Sequence, residues 1–257
     1  MQKPAKVAKK LQIFYFSFDN KNMSNELNVF VNKFIANHNI AYEGNQEEEF
    51  KKLVDYFHNG IYTFDRPDGY CIQGNNVLLI EHFEFDSSYK NKKGSKNRQE
   101  LFRTSNFKST NNDEIQIYKD EINCDFTIEN YINNAISNLK SHYEKIKDYE
   151  TNLKNKNIIT TETTIESLFC IEDTTILGNI DANNGSPLFL LYCEEFIEEI
   201  RKCSNLSYII CGSSFGQNDY TWFSSVSNID NYTPKYNKDN ITIANLTPQT
   251  MTSIIKI

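Results

Sequence analysis

The stretch from Ile61 to Phe85 constrains the fold more than any other part of this 257-residue chain. It holds three aromatic or aliphatic runs, Ile61-Tyr62-Thr63-Phe64, Tyr70-Cys71-Ile72-Gln73 and Val77 to Phe85. These are punctuated by Arg66-Pro67-Asp68-Gly69 and by Gly74-Asn75-Asn76. Strand-like runs hinged on a Gly-Asn turn spell a β-hairpin.

The flanking sequence supplies helices and further strands to cover it. Ser24 is placed to cap a helix whose apolar residues Leu27, Phe30, Val31, Phe34 and Ile35 recur at i, i+3, i+4, i+7 and i+8, one buried stripe. A second helix is expected after Asn45, with Glu48 three residues on as in a capping box. It buries Phe50, Leu53, Val54 and Phe57 and stops at Asn59-Gly60. From Ile128 to Leu153 the residues Ile132, Ile136, Leu139, Tyr143 and Ile146 step by 4, 3, 4 and 3, a heptad-like seam on one long helix. So short a seam suits packing within the chain better than a coiled-coil homodimer. A last block contains the strand Ser167 to Ile171, a turn-rich stretch through Asn183 to Pro187, a helix near 189–203, and strands Leu206 to Cys211 and Tyr220 to Val226. This order predicts an α/β class with a mixed central β-sheet flanked by helices. One domain over 1–257 is expected, with core motifs in 20–90, a basic loop and long helix inserted at 87–157, and the remaining strands and helix in 160–230. An edge strand is expected at Ile241 to Ala244, and an opening strand at Leu11 to Phe16 behind the basic tail Lys3 to Lys10.

Charge and cysteine usage narrow the setting. No run of ~18 apolar residues is present, so a membrane-spanning helix is not expected. The six cysteines form no C-x-x-C pair, and four lie in apolar runs such as Phe169-Cys170-Ile171, which predicts small buried thiols in a reducing cytoplasm. The net charge of -7 argues against a polyanion as partner. Between residues 90 and 108, however, Lys90, Lys92, Lys93, Lys96, Arg98, Arg103 and Lys108 face Glu100 alone. That segment is locally basic by six charges, a surface for phosphates.

The chemistry concentrates in the hairpin. Asp68 stands at the mouth of one strand and Glu81 near the end of its neighbour, thirteen positions on, so a tight turn brings the two carboxylates side by side. Two convergent oxygen anions suit a hard divalent cation, Mg2+ or Mn2+. Such an ion binds a phosphate oxygen and lowers the pKa of an attacking water. Glu81 follows the apolar run Val77 to Ile80, where an unpaired buried charge is costly, so a metal or a cationic partner is expected beside it.

These residues resemble the PD-(D/E)xK nuclease superfamily, the fold of many restriction endonucleases and DNA-repair nucleases. The resemblance rests on Pro67-Asp68, the step to Glu81, the apolar strand before Glu81 and the preceding amphipathic helix with its acidic first turn. It implies a restriction-endonuclease-like sheet and metal ligation by Asp68 and Glu81. A helix glutamate, Glu49 or else Glu47, would assist. The resemblance also implies a lysine two places after the glutamate, and this chain has Phe83 there. A catalytic lysine supplied by the basic segment, with Lys90, Lys92 and Lys93 nearest, is one resolution. Proton transfer by His82 or Glu84 is a second, although strand alternation points both away from Glu81. A nuclease-fold module without catalysis is the third.

His82, Glu84 and Asp86 lie at i, i+2 and i+4 on one strand face and form a ligand set of their own for a transition metal, or a polar outer face. Glu172-Asp173 ends another apolar strand and offers a third carboxylate, or a solvated strand end. Gly212-Ser213-Ser214-Phe215-Gly216 reads as a hairpin-like turn. No G-x-x-x-x-G-K-[ST], G-x-G-x-x-G or G-x-S-x-G motif occurs. Two functions are consistent with these features. One is a metal-dependent DNA endonuclease, catalytic through Asp68, Glu81 and Lys90 or Lys93, with Lys92, Lys96 and Arg98 on the backbone phosphates. The other is an inactive nuclease-fold module that binds nucleic acid or a protein partner, to which the 15 Tyr and 18 Phe would contribute a contact surface.

Overall fold

The computed structural model describes residues 9–10, 25–36, 40–87, 116–121, 126–175, 189–215, 218–239 and 250–255. Ten strands are present among them. They are β1 (Lys9–Lys10), β2 (Ile40–Tyr42), β3 (Tyr62–Thr63), β4 (Gly69–Gln73), β5 (Asn76–Phe85), β6 (Gln116–Glu121), β7 (Thr164–Asp173), β8 (Tyr208–Phe215), β9 (Asn218–Ser225) and β10 (Thr250–Ile255). Eight of them form one mixed sheet in the order β1-β2-β9-β8-β7-β5-β4-β3, while β6 and β10 pair separately. The α-helices are α1 (Asn25–Phe30), α2 (Glu47–His58), α3 (Ile128–Tyr143), α4 (Ile146–Asn155) and α5 (Glu194–Arg201). The α/β class with a mixed central sheet flanked by helices is therefore what the chain forms.

The hairpin forms as its turn residues require. Gly74, at φ +61, makes the reversal, a conformation that costs a residue with a Cβ. β4 and β5 then pair antiparallel with Gly69 opposite Ile80 and Gln73 opposite Asn76. At the sheet's centre β5 and β7 run parallel over ten residues, from Asn76 opposite Thr164 to Phe85 opposite Asp173. The connection between them carries α3 and α4.

Period-2 alternation divides the core. On one face Leu78, Ile80, Leu168, Cys170, Tyr208 and Ile210 pack with the buried stripes of α1 and α2. On the other, Phe83, Phe85, Phe169 and Ile171 pack with α3 and α5, and Val77 and Leu79 with Tyr149 and Leu153 of α4. Each such aliphatic or aromatic side chain contributes ~1.5–3 kcal/mol by leaving water.

Several local expectations need correction. The long helix is two: the chain turns at Glu144–Lys145, where the Lys145 amide donates to the His142 carbonyl at 3.1 Å. This break lets α4 follow the sheet so that Tyr149 and Leu153 are buried. The second helix is capped by Gln46, not Asn45. The Gln46 side chain is buried, donating to the Glu43 carbonyl and accepting from the Ser225 amide, both at 2.7 Å, so it ties the helix start to β9. Gly212 to Phe215 are the end of β8 rather than a turn. The polar stretch around 116–121 is a strand; its lack of period hid it. Ser24, the strands expected at Leu11 to Phe16 and Ile241 to Ala244, the turns at 183–187 and Cys124 lie outside the described residues. The other five cysteines are free and buried.

Gly212 controls how α1 meets the sheet. A Cβ there would stand 2.5 Å from Cγ of Phe34, in the single π-helical turn Val31–Ala36 that continues α1. Gly212→Ala is expected to cost about 1–3 kcal/mol, as overpacking does. Urea unfolding with an unchanged m-value checks it.

Candidate active site

The β4–β5 register begins at Gly69 opposite Ile80, so Asp68 stands just before β4 and Glu81 one residue past the last position of β5 that β4 pairs. β5 outruns β4 at this point, so the His82 amide has no strand to pair with. Asp68 Oδ2 accepts it at 2.7 Å. Burial raises the Asp68 pKa against the lowering effect of that hydrogen bond, and the neighbouring Glu81 charge raises it further. Asp68 thus feels the charge of Glu81.

Glu81 itself is buried on the α3–α4 face. His142, in the last turn of α3, places Nδ1 2.6 Å from Glu81 Oε1. Tyr149, in the first turn of α4, donates its hydroxyl to the same oxygen at 2.7 Å. The partners of this buried carboxylate are therefore a histidine and a tyrosine 61 and 68 residues away. Burial, then the hydrogen bond to Glu81, hold the Tyr149 phenol above its ordinary pKa, so it stays a donor. Phe83, which stands where the motif lysine was expected, stacks on the His142 ring at 4.4 Å between centroids and 12° between planes. It fixes the imidazole against Glu81.

Tyr149 also lines a cleft of about 290 Å³ with Arg66, Lys145, Asp148, Thr151 and Asn152. Asn152 donates to the Arg66 carbonyl at 3.3 Å, so the cleft wall is anchored to the loop that carries Asp68. Arg66 and Lys145 give this cleft positive charge beside the carboxylates. Sequence reasoning passed over both because neither belongs to a charge run.

The structure places the other candidates elsewhere. Glu49 does not join Asp68 and Glu81. Its Oε2 accepts from the Tyr208 hydroxyl at 3.3 Å, beside Glu166. Glu166 pairs with Leu78 whereas Glu81 pairs with Phe169, three residues or ~10 Å further along the strand. Glu47 is exposed. Lys90, Lys92, Lys93, Lys96 and Arg98 lie outside the described residues. His82 and Glu84 do face away from Glu81, on the α1–α2 side. Their companion there is Glu172, opposite Glu84 in the β5–β7 register, not Asp86. β5 ends at Phe85, so alternation no longer governs Asp86, which lies instead beside Asp173. Of the Glu172-Asp173 pair that the sequence offered to Asp68 and Glu81, Glu172 goes to the other face, while Asp173 stays on the α3 face and bonds Tyr131. Burial alone would raise the Glu172 pKa, but His82 and Lys33 outweigh burial and hold it below the usual value.

No family model matches the chain, and no curated protein or solved structure matches it at a significant level. No helix among the described residues is long and apolar enough to cross a membrane.

Asp173 ends β7 fully buried on the α3 face, accepting from the Tyr131 hydroxyl at 2.8 Å and the Thr175 amide at 2.9 Å. Burial pushes its pKa up to about 6 from 3.8, against those hydrogen bonds, with Asp86 adding to the rise. A folded pKa above the unfolded one gives stability that is full at low pH and lost as pH rises through the folded value. Unfolding free energy should therefore fall by about 3 kcal/mol between pH ~4 and pH ~7 from this residue. Asp173→Asn, compared with the parent in chelator across that range, should flatten the difference.

Proposed function

We propose that the protein is a metal-dependent endonuclease of the PD-(D/E)xK kind, hydrolysing DNA phosphodiester bonds at Asp68 and Glu81. The observation that carries this reading is that Asp68, just before β4, feels the charge of Glu81 on β5, next to a cleft bearing Arg66 and Lys145. Among the described residues, Asp68 Oδ1 and Glu81 Oε2 take no hydrogen bond, while Oδ2 and Oε1 are tied down by His82, His142 and Tyr149. Two oriented carboxylates, each with one open oxygen, fit a hard cation such as Mg2+ or Mn2+. A cation bound there supplies Lewis acidity toward a phosphate oxygen and a more acidic water.

The chain's own groups do the rest. Arg66 and Lys145 hold the phosphodiester by charge. Tyr149 fixes the Glu81 carboxylate by its hydroxyl. His142 takes the place of the absent lysine: Glu81 orients it through Nδ1, Phe83 holds its plane, and Nε2 is the nitrogen left to accept a proton from water. A carboxylate that fixes the tautomer of a general base in this way is familiar from hydrolytic dyads.

One observation favours the non-catalytic alternative, a nucleic-acid-binding or protein-binding module: Glu81 is already paired by His142 and Tyr149 without any metal. Both readings answer to the same experiment. Cleavage of plasmid and single-stranded DNA in Mg2+ or Mn2+ is expected. Asp68→Ala and Glu81→Ala should each abolish it, and His142→Gln should slow it by about 10²–10⁴-fold, as loss of a general base does. Undiminished cleavage by both carboxylate variants would sink the site assignment. Absence of cleavage, together with no calorimetric heat for Mg2+, would establish the module instead.

A further inference from the structure

The sheet face opposite Glu81 carries a second set of ligand-type side chains that DNA hydrolysis does not use. We propose that His82, Glu84 and Glu172 bind one divalent transition cation of the Zn2+ type, on strands β5 and β7.

The register builds the set. Glu84 sits directly opposite Glu172 in the parallel β5–β7 pair, and His82, two residues earlier on β5, shares their face. One donor atom from each of the three lies within 4.8 Å of the other two. At this height β7 pairs with β5 on one side and β8 on the other, so the backbone of Glu172 is held from both sides and that of His82 and Glu84 by β7.

His82 points to a ligand. Its side chain is only 4% exposed, and its Nε2 is buried without a hydrogen-bond partner. A buried nitrogen without a hydrogen bond is costly, and Glu172 offsets that cost through charge alone. The nearest acceptor, Glu172 Oε2, is 3.6 Å away, too far for a hydrogen bond. Two donors each ~2.1 Å from a tetrahedral metal stand about 3.4 Å apart, so 3.6 Å matches the edge of a coordination shell. The ring is held in place by Phe30, with centroids 5.0 Å apart, and its backbone amide by Asp68.

The surroundings complete the site. Lys33 Nζ bonds the other Glu172 oxygen, Oε1, at 2.9 Å. Outer partners of this kind orient a ligating carboxylate. Lys33 is carried there by the turn whose Phe34 presses on Gly212. One imidazole nitrogen with two carboxylates favours zinc-like ions over Mg2+ or Ca2+, which prefer oxygen alone. Three protein donors leave a fourth position for water or an exogenous ligand. Glu84 is exposed, so that position opens to solvent.

Cobalt(II) reports the site directly, because its visible absorption is weak in the hexaaqua ion and becomes strong and red-shifted on tetrahedral ligation. The full chain carrying Asp68→Asn and Glu81→Gln, which removes the other carboxylate pair, should take up one equivalent of Co2+ with a visible band that Zn2+ abolishes. Adding Glu84→Gln, a surface change that leaves the core intact, should weaken binding at least tenfold, and His82→Phe, which keeps a ring against Phe30, should remove the band. The proposal is overturned if no one-to-one complex forms, or if both added variants bind as before. It is equally overturned if the parent binds Co2+ and the Asp68→Asn/Glu81→Gln chain does not. That last result would place the ion at the hairpin carboxylates and leave the nuclease reading standing.

Discussion

The parallel pairing of β5 with β7 is the constraint on which the rest depends. Its ten-residue register fixes the sheet's centre, and the period of two then decides the fate of every polar residue near the strand ends. Glu81 goes to the α3–α4 face, while His82 and Glu84 go with Glu172 to the α1–α2 face. Asp173 returns to the first. A slip of one residue would exchange these sets and bury the apolar residues on the wrong sides at once, so the apolar pattern locks the polar one. The charged groups do not choose their neighbours; the aliphatic residues between them do.

A second feature, the break at Glu144–Lys145, solves the problem that this arrangement creates. Glu81 is delivered into a nearly anhydrous position, where an ionised carboxylate without partners is untenable. His142 and Tyr149 are seven residues apart, which in an unbroken helix puts them on one side but about 10.5 Å apart along the axis. The turn between α3 and α4 lets both reach the same oxygen, at 2.6 and 2.7 Å. The same break seats Leu153 against Val77 and Leu79. Packing and charge compensation are thus achieved by one deviation from helical regularity. Phe83 adds the stacking surface that keeps the imidazole in plane, so the residue that departs from the lysine pattern has a definite physical role.

What was legible in the sequence was local. The hairpin followed from Gly74 and the runs beside it, the stripes of α1 and α2 from their 3.6 period, and the opposite facing of Glu81 and His82 from alternation. What was not legible came from sequence-distant partners. His142 and Tyr149 lie 61 and 68 residues from Glu81, and nothing in a heptad seam says where a helix will break. Glu172 looked like a companion for Asp68 because its strand repeats the same pattern of an acid after apolar residues. Only the β5–β7 register shows which face it serves. Glu49 was misplaced for a related reason: a helix periodicity gives the buried side, not the face of the sheet that the helix covers, and α2 covers the face opposite Glu81.

The net charge of -7 says little about the site once pairing is known. Several buried or half-buried acids carry their own cations: Glu172 has Lys33, Glu166 has Lys52, and Glu199 has Lys140 and Lys202. Each such pair is nearly neutral at a distance, because opposite charges a few ångströms apart cancel beyond a Debye length of ~8 Å. The cleft beside Tyr149 is lined by two cations, Arg66 and Lys145, against one acid, Asp148. An acidic chain can present a cationic cleft because folding consumes the acids in pairs. The unpaired excess that gives the overall sign belongs to exposed positions such as Glu47 and Glu48, where water screens it.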